Sequence, residues 1–465
     1  MKHLFLLLVL FHETGFSFKK TSPFKTTVMK KNTWIFMALL LEFALSCKKD
    51  FLHEKGPWPK GPNHHLKIAI VSDIHYMHPS LLQSNGAAGL AFQNYVNQDP
   101  KMVEYSDAIF RQVMAELKME APDILLLPGD ITKDGEKISH EAIAGFLNQF
   151  RSCGIRVYAM PGNHDINNAK AKKYIGDNDY PVEKTSPTDF ANIYADFGYD
   201  DAISRDANSL SYTAQLQPDL RLIAIDASKY EEYGPSGDVA AGRIKQQTLT
   251  WILAQLALAK KQNMKVFAMM HHNLIEHYAG QTQLDPGYVI DDWQKVADTL
   301  IDAGLKIIFT GHYHANDISS YVHKGNKLFD IETGSLVTAP SPYRIVTLQD
   351  DQLLIKTNTV KSVDVKLPGE LAFPAYANLF LSQHLDGYFY YYLTTLLGAP
   401  GTVATFAAPL FRNAIMAHFA GDEKMPSDQR KKIDELATMS QQLAAIATTL
   451  WTDTGETDNN TVVKY

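Results

Sequence analysis

The sequence predicts a layered α/β fold joined to an all-α C-terminal domain, and three observations carry that expectation. Between about Leu66 and Leu354, short apolar runs alternate with longer segments whose apolar residues recur every three or four positions. Five of those runs are followed at once by a polar cluster rich in Asp, His and Gly. Beyond about Pro368 strand patterns stop, and Phe, Tyr, Leu and Ala dominate.

Taken in order, strands are expected at Lys67 to Ser72, Ile124 to Pro128, Arg156 to Met160, Leu222 to Asp226, Val266 to Met270 and Ile307 to Thr310. Helices are expected between them at Met102 to Leu117, His140 to Arg151, Lys245 to Lys260 and Ile290 to Ala303. Asn316 to Leu354 reads as several short β-runs, which would close the sheet with antiparallel strands. In the C-terminal domain the clearest helix starts at Ser427, a good N-cap residue type, and puts Ile433, Leu436, Leu443, Ile446 and Leu450 on one face. The run Tyr388 to Tyr392 could stack on a sugar or base, but core packing is the more common use of such aromatics. The chain therefore divides into an α/β domain at 66–360, a helical domain at 368–451 and a flexible tail at 452–465.

Composition narrows the partners. Against 44 Lys and Arg stand 51 Asp and Glu, a formal charge of −7 that gives no general attraction for a nucleic-acid polymer. An anionic substrate must be held by local charge. The two cysteines, Cys47 and Cys153, are too few for a disulfide framework or a thiolate metal site, so any metal must use His and carboxylates. No obligate protein partner is expected.

Residues 1–47 read as an export segment. Lys30 and Lys31 precede an apolar run from Trp34 to Leu45 broken only by Glu42, shorter than the about 20 residues that span a bilayer. Ala44-Leu45-Ser46-Cys47 resembles a bacterial lipobox, in which the cysteine carries the lipid and becomes the new N-terminus; Met29 is then a natural start. A buried helix with a chance cysteine is the alternative, and Lys30, Lys31, Lys48 and Lys49 suit burial badly. Residues 48–65, rich in Pro, Gly, Lys and His, read as a tether. The expectation is an exported protein anchored to the bacterial cell envelope, on its periplasmic or outer-membrane side, by lipid at Cys47.

The chemistry lies in five clusters after strands: Asp73-Ile74-His75, Gly129-Asp130, Gly162-Asn163-His164-Asp165, His271-His272 and Gly311-His312-Tyr313-His314. Ligands of open α/β sheets bind at the carboxyl ends of strands, so five such loops can share one site. Carboxylates and imidazoles without thiolates suit Mn, Fe or Zn. The candidate ligands exceed what one catalytic ion with an open position accepts, and Asp130 has two oxygens with which to bridge a pair.

In this order the series D-x-H, G-D, G-N-H-D, H and G-H-x-H is similar to the calcineurin-like metallophosphoesterase superfamily, over about Leu66 to Leu354. That resemblance implies a two-sheet α/β sandwich flanked by helices. It implies one metal on Asp73, His75, Asp130 and His314, and a second on Asp130, Asn163, His271 and His312. Further stretches, among them Ser72 to Tyr76, Ser186 to Phe190 and His271 to Leu274, resemble a bacterial subgroup of cyclic-nucleotide phosphodiesterases with an added helical domain.

Two divalent or trivalent ions would acidify a water and offset charge at the attacking and leaving oxygens. His164 is the candidate to touch phosphate or protonate the leaving alkoxide, with Asp165 fixing its tautomer; Asp134 reads as a supporting or loop-capping residue. Asn163, His164, His272 and His277 are candidate substrate contacts. His53, His64, His65, His78, His140, His323, His384 and His418 lack a partnering pattern and read as solvated or packing residues. The expected activity is hydrolysis of small phosphodiesters such as cyclic nucleotides. A broad phosphomonoesterase or nucleotidase, and an inactive surface-binding lipoprotein, are the competing readings. The C-terminal domain is expected to border the site.

Overall fold

The structure, a computed structural model, describes residues 65–83, 89–421, 423–453, 455 and 457–464. The expected export segment, Cys47 and nearly all of the expected tether lie outside them. The first apolar run forms β1 (Leu66–Ile70), in which only Lys67 is not buried. A near-continuous apolar run is what a strand covered on both faces requires.

Next come β2 (Leu82–Gln83), α1 (Leu90–Gln98), α2 (Ser106–Glu120), β3 (Ile124–Leu127), α3 (Lys137–Ser152) and β4 (Arg156–Ala159). A peripheral hairpin, β5 (Lys172–Ile175) and β6 (Asn178–Pro181), precedes α4 (Pro187–Ile193), which Ser186 and Asp189 open with a reciprocal capping box. Then follow β7 (Ser204–Arg205), β8 (Tyr212–Gln217), β9 (Leu220–Ile225), α5 (Gln246–Lys261), β10 (Lys265–Met270), α6 (Gln281–Leu284), α7 (Trp293–Asp302) and β11 (Ile307–Thr310). The catalytic region ends in β12 (Ile318–His323), β13 (Asn326–Glu332), β14 (Pro342–Gln349) and β15 (Gln352–Thr359).

One large sheet runs β16-β15-β14-β1-β3-β4, with β16 (Asn460–Lys464) as its edge; a second runs β12-β13-β11-β10-β9-β8-β7, and β2, β5 and β6 form a small third. Strand periodicity explains how they layer. Leu222, Ala224, Phe267, Met269 and Phe309 on one face of the second sheet share a core with Ile68, Ile70, Leu125 and Leu127 of the first. Their alternates Ile223, Ile225, Ala268, Met270 and Ile308 pack instead with Ile252 and Leu256 of α5 and Leu300 of α7. The result is the two-sheet, helix-flanked α/β arrangement expected from the sequence.

The C-terminal helices are α8 (Phe373–Tyr391), α9 (Gly401–Ala420), α10 (Ser427–Met439) and α11 (Gln441–Thr449). Two expectations are corrected here. The helix expected from Ser427 onward is two helices: Ser440 leaves helical geometry (φ −157°, ψ 106°) and its side chain caps α11 by accepting from Leu443 N–H, while Pro426 occupies the cap of α10. The expected flexible tail contains β16, which pairs antiparallel with β15 from Gln352↔Lys464 to Lys356↔Asn460. The chain thus leaves the first sheet, builds the helices and returns. Apolar side chains from β1 to α11 and Val463 form one continuous core. Among the described residues no helix is long and apolar enough to cross a membrane.

Candidate metal centre

The site is assembled at the carboxyl ends of β1, β3, β10 and β11 and the loop after β4. Backbone bonds stitch the loops together: Asp73 N–H donates to Gly129 O (3.2 Å), His75 N–H to Asp130 O (2.9 Å) and Gly311 N–H to His271 O (3.0 Å). Asp73, His75, Asp130, His312 and His314 all have φ between 42° and 82°. Left-handed backbone costs about 1–3 kcal/mol at a non-glycine residue and persists only where neighbours over-determine it. Its recurrence at five expected ligands marks a site shaped against local preference. Close approach explains two glycines: a Cβ on Gly162 would lie 2.2 Å from Asp130 Oδ1, and one on Gly311 2.0 Å from Ser72 Oγ.

The expected ligands converge in two sets. In the first, His75 Nε2 is 3.2 Å from His314 Nε2, 3.8 Å from Asp73 Oδ1 and 3.6 Å from Asp130 Oδ2, and His314 Nε2 is 3.4 Å from Asp73 Oδ1. In the second, His271 Nε2 is 3.2 Å from Asp130 Oδ2, 3.1 Å from Asn163 Oδ1 and 3.1 Å from His312 Nδ1. Four donors held about 2.0–2.2 Å from one ion in a tetrahedral array stand about 3.4 Å apart, so these spacings fit. Asp130 Oδ1 accepts from His164 N–H at 2.9 Å, so a single oxygen, Oδ2, faces both sets, where the sequence suggested one oxygen for each.

Partners outside the sets fix what each ligand points inward. His271 Nδ1–H donates to Pro128 O (3.0 Å) and His312 Nε2–H to Gly287 O (3.2 Å), which turns His271 Nε2 and His312 Nδ1 toward each other. Asn163 Nδ2 donates to Asp238 Oδ2 (2.9 Å), which turns its oxygen toward His271. Carboxylate, amide and imidazole atoms converging this closely call for positive charge between them, from a proton or a metal ion. Electrostatics agree: burial opposes ionisation of Asp130, but the charges of His271 and His164 hold its carboxyl well below the usual range. His271 is pushed up to about 9, burial being outweighed by Asp130, and His312 is pushed down to about 3 by burial and by His271. A proton on His271 does there part of what a metal ion would do, and the donor chemistry fits two transition-metal ions.

His164, 8% exposed, reaches the pocket beside these sets. Its Nδ1 meets Asp134 Oδ1 at 2.9 Å, and Asp134 is in turn paired with the fully buried Lys133, which also holds Glu136 (2.9 Å). This corrects the role given to Asp165, whose carboxylate instead accepts from the N–H groups of Ile131 (3.1 Å), Thr132 (2.9 Å) and Gly162 (2.9 Å) and so ties the second and third loops together. His272 and His277 are corrected as substrate contacts. Both are fully buried: His272 Nε2 donates to Ala240 O and its ring lies 4.4 Å from that of His312, while His277 is held by Asp317 (2.6 Å) and Asp330 (3.4 Å).

Two residues escaped the sequence reading. Lys101 Nζ is buried 3.3 Å from His164 Nε2 and 3.5 Å from His75 Nδ1, paired with Asp99 at 2.9 Å. Asp238 links Asn163, Lys170 (2.9 Å) and the neighbourhood of His164 (3.8 Å). Neither follows a strand or belongs to a motif, so no local signal announced them.

A cavity of about 1090 Å³ opens over the centre. Asp130, Asn163, His164, His312 and His314 line it together with Lys101, Lys170, Tyr95 and Tyr288, and the helical region supplies Leu385, Tyr388, Phe389 and Tyr392. The helices therefore border the site. The Tyr388 to Tyr392 cluster is not core throughout: Phe389 is buried, but Tyr388, Tyr390 and Tyr391 are about half exposed.

Residues 66–316 match the family described as calcineurin-like phosphoesterase. No curated protein matches the chain. Among solved structures, the crystal structure of a dimetal phosphatase from Danio rerio is similar at 15% identity, covering 63% of this chain and 96% of that one with a TM-score of 0.43. A second crystal structure is similar at 11% identity, covering 64% of this chain and 99% of that one with a TM-score of 0.36.

Proposed function

The chain belongs to the calcineurin-like phosphoesterase family, and from that premise we propose that it hydrolyses phosphodiesters, cyclic nucleotides such as 3′,5′-cAMP foremost, at a centre of two Mn, Fe or Zn ions. The observation that carries the reading is the pair of converging donor sets sharing Asp130 Oδ2 beneath the cavity. Bound there, two ions supply Lewis acidity and an activated water. The protein's own groups do the rest. Lys101 Nζ, beside His75 and His164, lies where a non-bridging phosphate oxygen would need a cation. His164 Nδ1 is engaged by Asp134, so Nε2, 3.3 Å from Lys101 Nζ, is the atom left to bond phosphate or to hand a proton to the leaving oxygen. A diester leaves as an alkoxide, for which such a donor matters most. Tyr288, Tyr388 and Tyr392 offer aromatic faces to a base.

A phosphomonoester is the second reading, favoured by Lys101 and Lys170, whose charges would suit a dianionic phosphate. Export and lipid anchoring at Cys47 belong to the same proposal and rest on the sequence before residue 48. Metal-reconstituted protein assayed on bis(p-nitrophenyl) phosphate, p-nitrophenyl phosphate and cAMP separates the readings: the diesters should turn over faster, and Asp130→Ala or Asn163→Ala should abolish turnover. Normal hydrolysis by both variants would refute the centre, and preference for the monoester would select the second reading. Loss of palmitate labelling in Cys47→Ser tests the anchor.

A further inference from the structure

A second group of donors lies apart from the metal-binding loops. Asp317, His418 and Glu423 each bring one ligand atom to within 4.8 Å of the others. Asp317 immediately precedes β12, His418 sits in the last turn of α9, and Glu423 follows that helix, so the group joins the catalytic region to the helical one. Their side chains are no more than 1% exposed, and His418 Nδ1 lies 2.7 Å from Glu423 Oε1 and 3.8 Å from Asp317 Oδ2.

The hydrogen-bond inventory does not close. Asp317 Oδ1 accepts from His277 Nδ1 (2.6 Å) and Ser319 Oγ (3.0 Å), but Asp317 Oδ2 and Glu423 Oε2 are buried without a partner. Without an ion, a proton on His418 Nδ1 is directed at Glu423 Oε1 and cannot serve both remaining oxygens; an ion bound there would displace that proton, leaving the imidazole neutral with its hydrogen on Nε2. The nearby cations do not bond these two oxygens: His277 reaches Asp317 through Oδ1 and is flanked by Asp330 and Glu332, Asp453 adds a further carboxylate, and the buried Arg344 donates to the main-chain oxygens of Glu332 and Asp317. Buried carboxylate oxygens left without a hydrogen-bond partner are costly, by about 1–3 kcal/mol each.

The geometry points to a third metal site, in which Asp317, His418 and Glu423 bind one divalent cation of the Zn²⁺ or Mn²⁺ class through one imidazole nitrogen and two carboxylate oxygens. One nitrogen and two oxygens on three side chains is a donor set such ions accept, with water completing the coordination. Its role is to fasten. The Tyr313 ring lies 5.7 Å from His418 and 6.2 Å from Phe419, and Phe419 lies 6.2 Å from the ring of His314. An ion here would clamp the end of α9 to the loop that carries His312 and His314, and with it the apolar wall of the cavity.

The site does not depend on the reaction proposed above, and its test counts ions. Full-length protein is loaded with Mn²⁺ or Zn²⁺, dialysed, and its metal content read by plasma mass spectrometry. Three equivalents are expected, with Glu423→Gln losing one. An Asp130→Ala/His271→Ala variant should keep the ion at this site, and chelation should still lower its Tm; adding Glu423→Gln should remove both the ion and the chelator effect. A wild-type content of two equivalents under excess metal, or an unchanged content in folded Glu423→Gln protein, overturns the proposal and leaves a buried ion pair only. Should Glu423→Gln not fold, the wild-type count and the chelator response of the double variant still decide.

Discussion

Asp130 can face both donor sets only because Gly162 has no side chain, since a Cβ there would fall 2.2 Å from its Oδ1. Gly162→Ala is therefore expected to give a folded protein with metal affinity at least about ten-fold weaker, read by metal content after dialysis, because the ligand's supporting geometry is lost. Asp134 acts one step further out. Asp134→Asn should lower kcat about 10–100-fold with metal content unchanged, the combination expected of a group that orients His164 without touching an ion. His140, read from the sequence as a solvated or packing residue, is neutral and fully bonded, with Tyr194 OH at 2.9 Å from Nδ1 and Asp165 O at 3.0 Å from Nε2. Burial pushes it down to about 3 from an ordinary 6.5. Below pH 6.5 the unfolded chain takes up a proton that the folded chain refuses, so stability falls by about 1.4 kcal/mol per pH unit until the pH nears 3. Urea titrations across that window should show a shallower acid slope in His140→Gln; an identical slope would remove His140 as its source.

Elements differ in how much of themselves the sequence displays. The residues that converge in the two donor sets were legible because each motif follows an apolar run, and a strand fixes where its next residues point: Asp73 and His75 after β1, Asp130 after β3 and His271 after β10. Lys101 and Asp238 were not legible, since a buried lysine beside His75 depends on where a loop is laid by the rest of the fold. The break at Ser440 hid in an unbroken apolar stripe, and β16 hid in Asn460–Lys464, whose polar and exposed positions alternate with a single buried Val463. Helix α3 offers a clean check of local propensity. Gly145 is exposed within it and a Cβ there would meet nothing within 4 Å. Gly145→Ala should stabilise the protein by about 1 kcal/mol in urea denaturation with no change in metal content, the opposite of Gly162→Ala.

At the scale of the molecule, the return of the chain decides whether the catalytic region can stand alone. A cut near Pro368 would seem to remove only a helical appendage, yet it also removes β16 and the segment before it. Asp458 Oδ1 accepts from Ile318 N–H (2.9 Å), Asn459 Oδ1 from Asn316 Nδ2 (2.7 Å), and Asp458 O takes the Arg344 guanidinium, which is wholly buried. Without residues 368–465 that guanidinium loses a partner in an apolar setting, the β15 edge is laid open, and the surfaces under Tyr376, Leu381 and Phe411 meet water. The truncated protein is expected to aggregate or to unfold at a temperature lower by ten degrees or more, as losing several kcal/mol would require. Were it to remain monomeric with an unchanged Tm and unchanged turnover, the C-terminal region would be a separable domain with no part in the cavity, and the continuous core that joins β1 to α11 would carry no energetic weight.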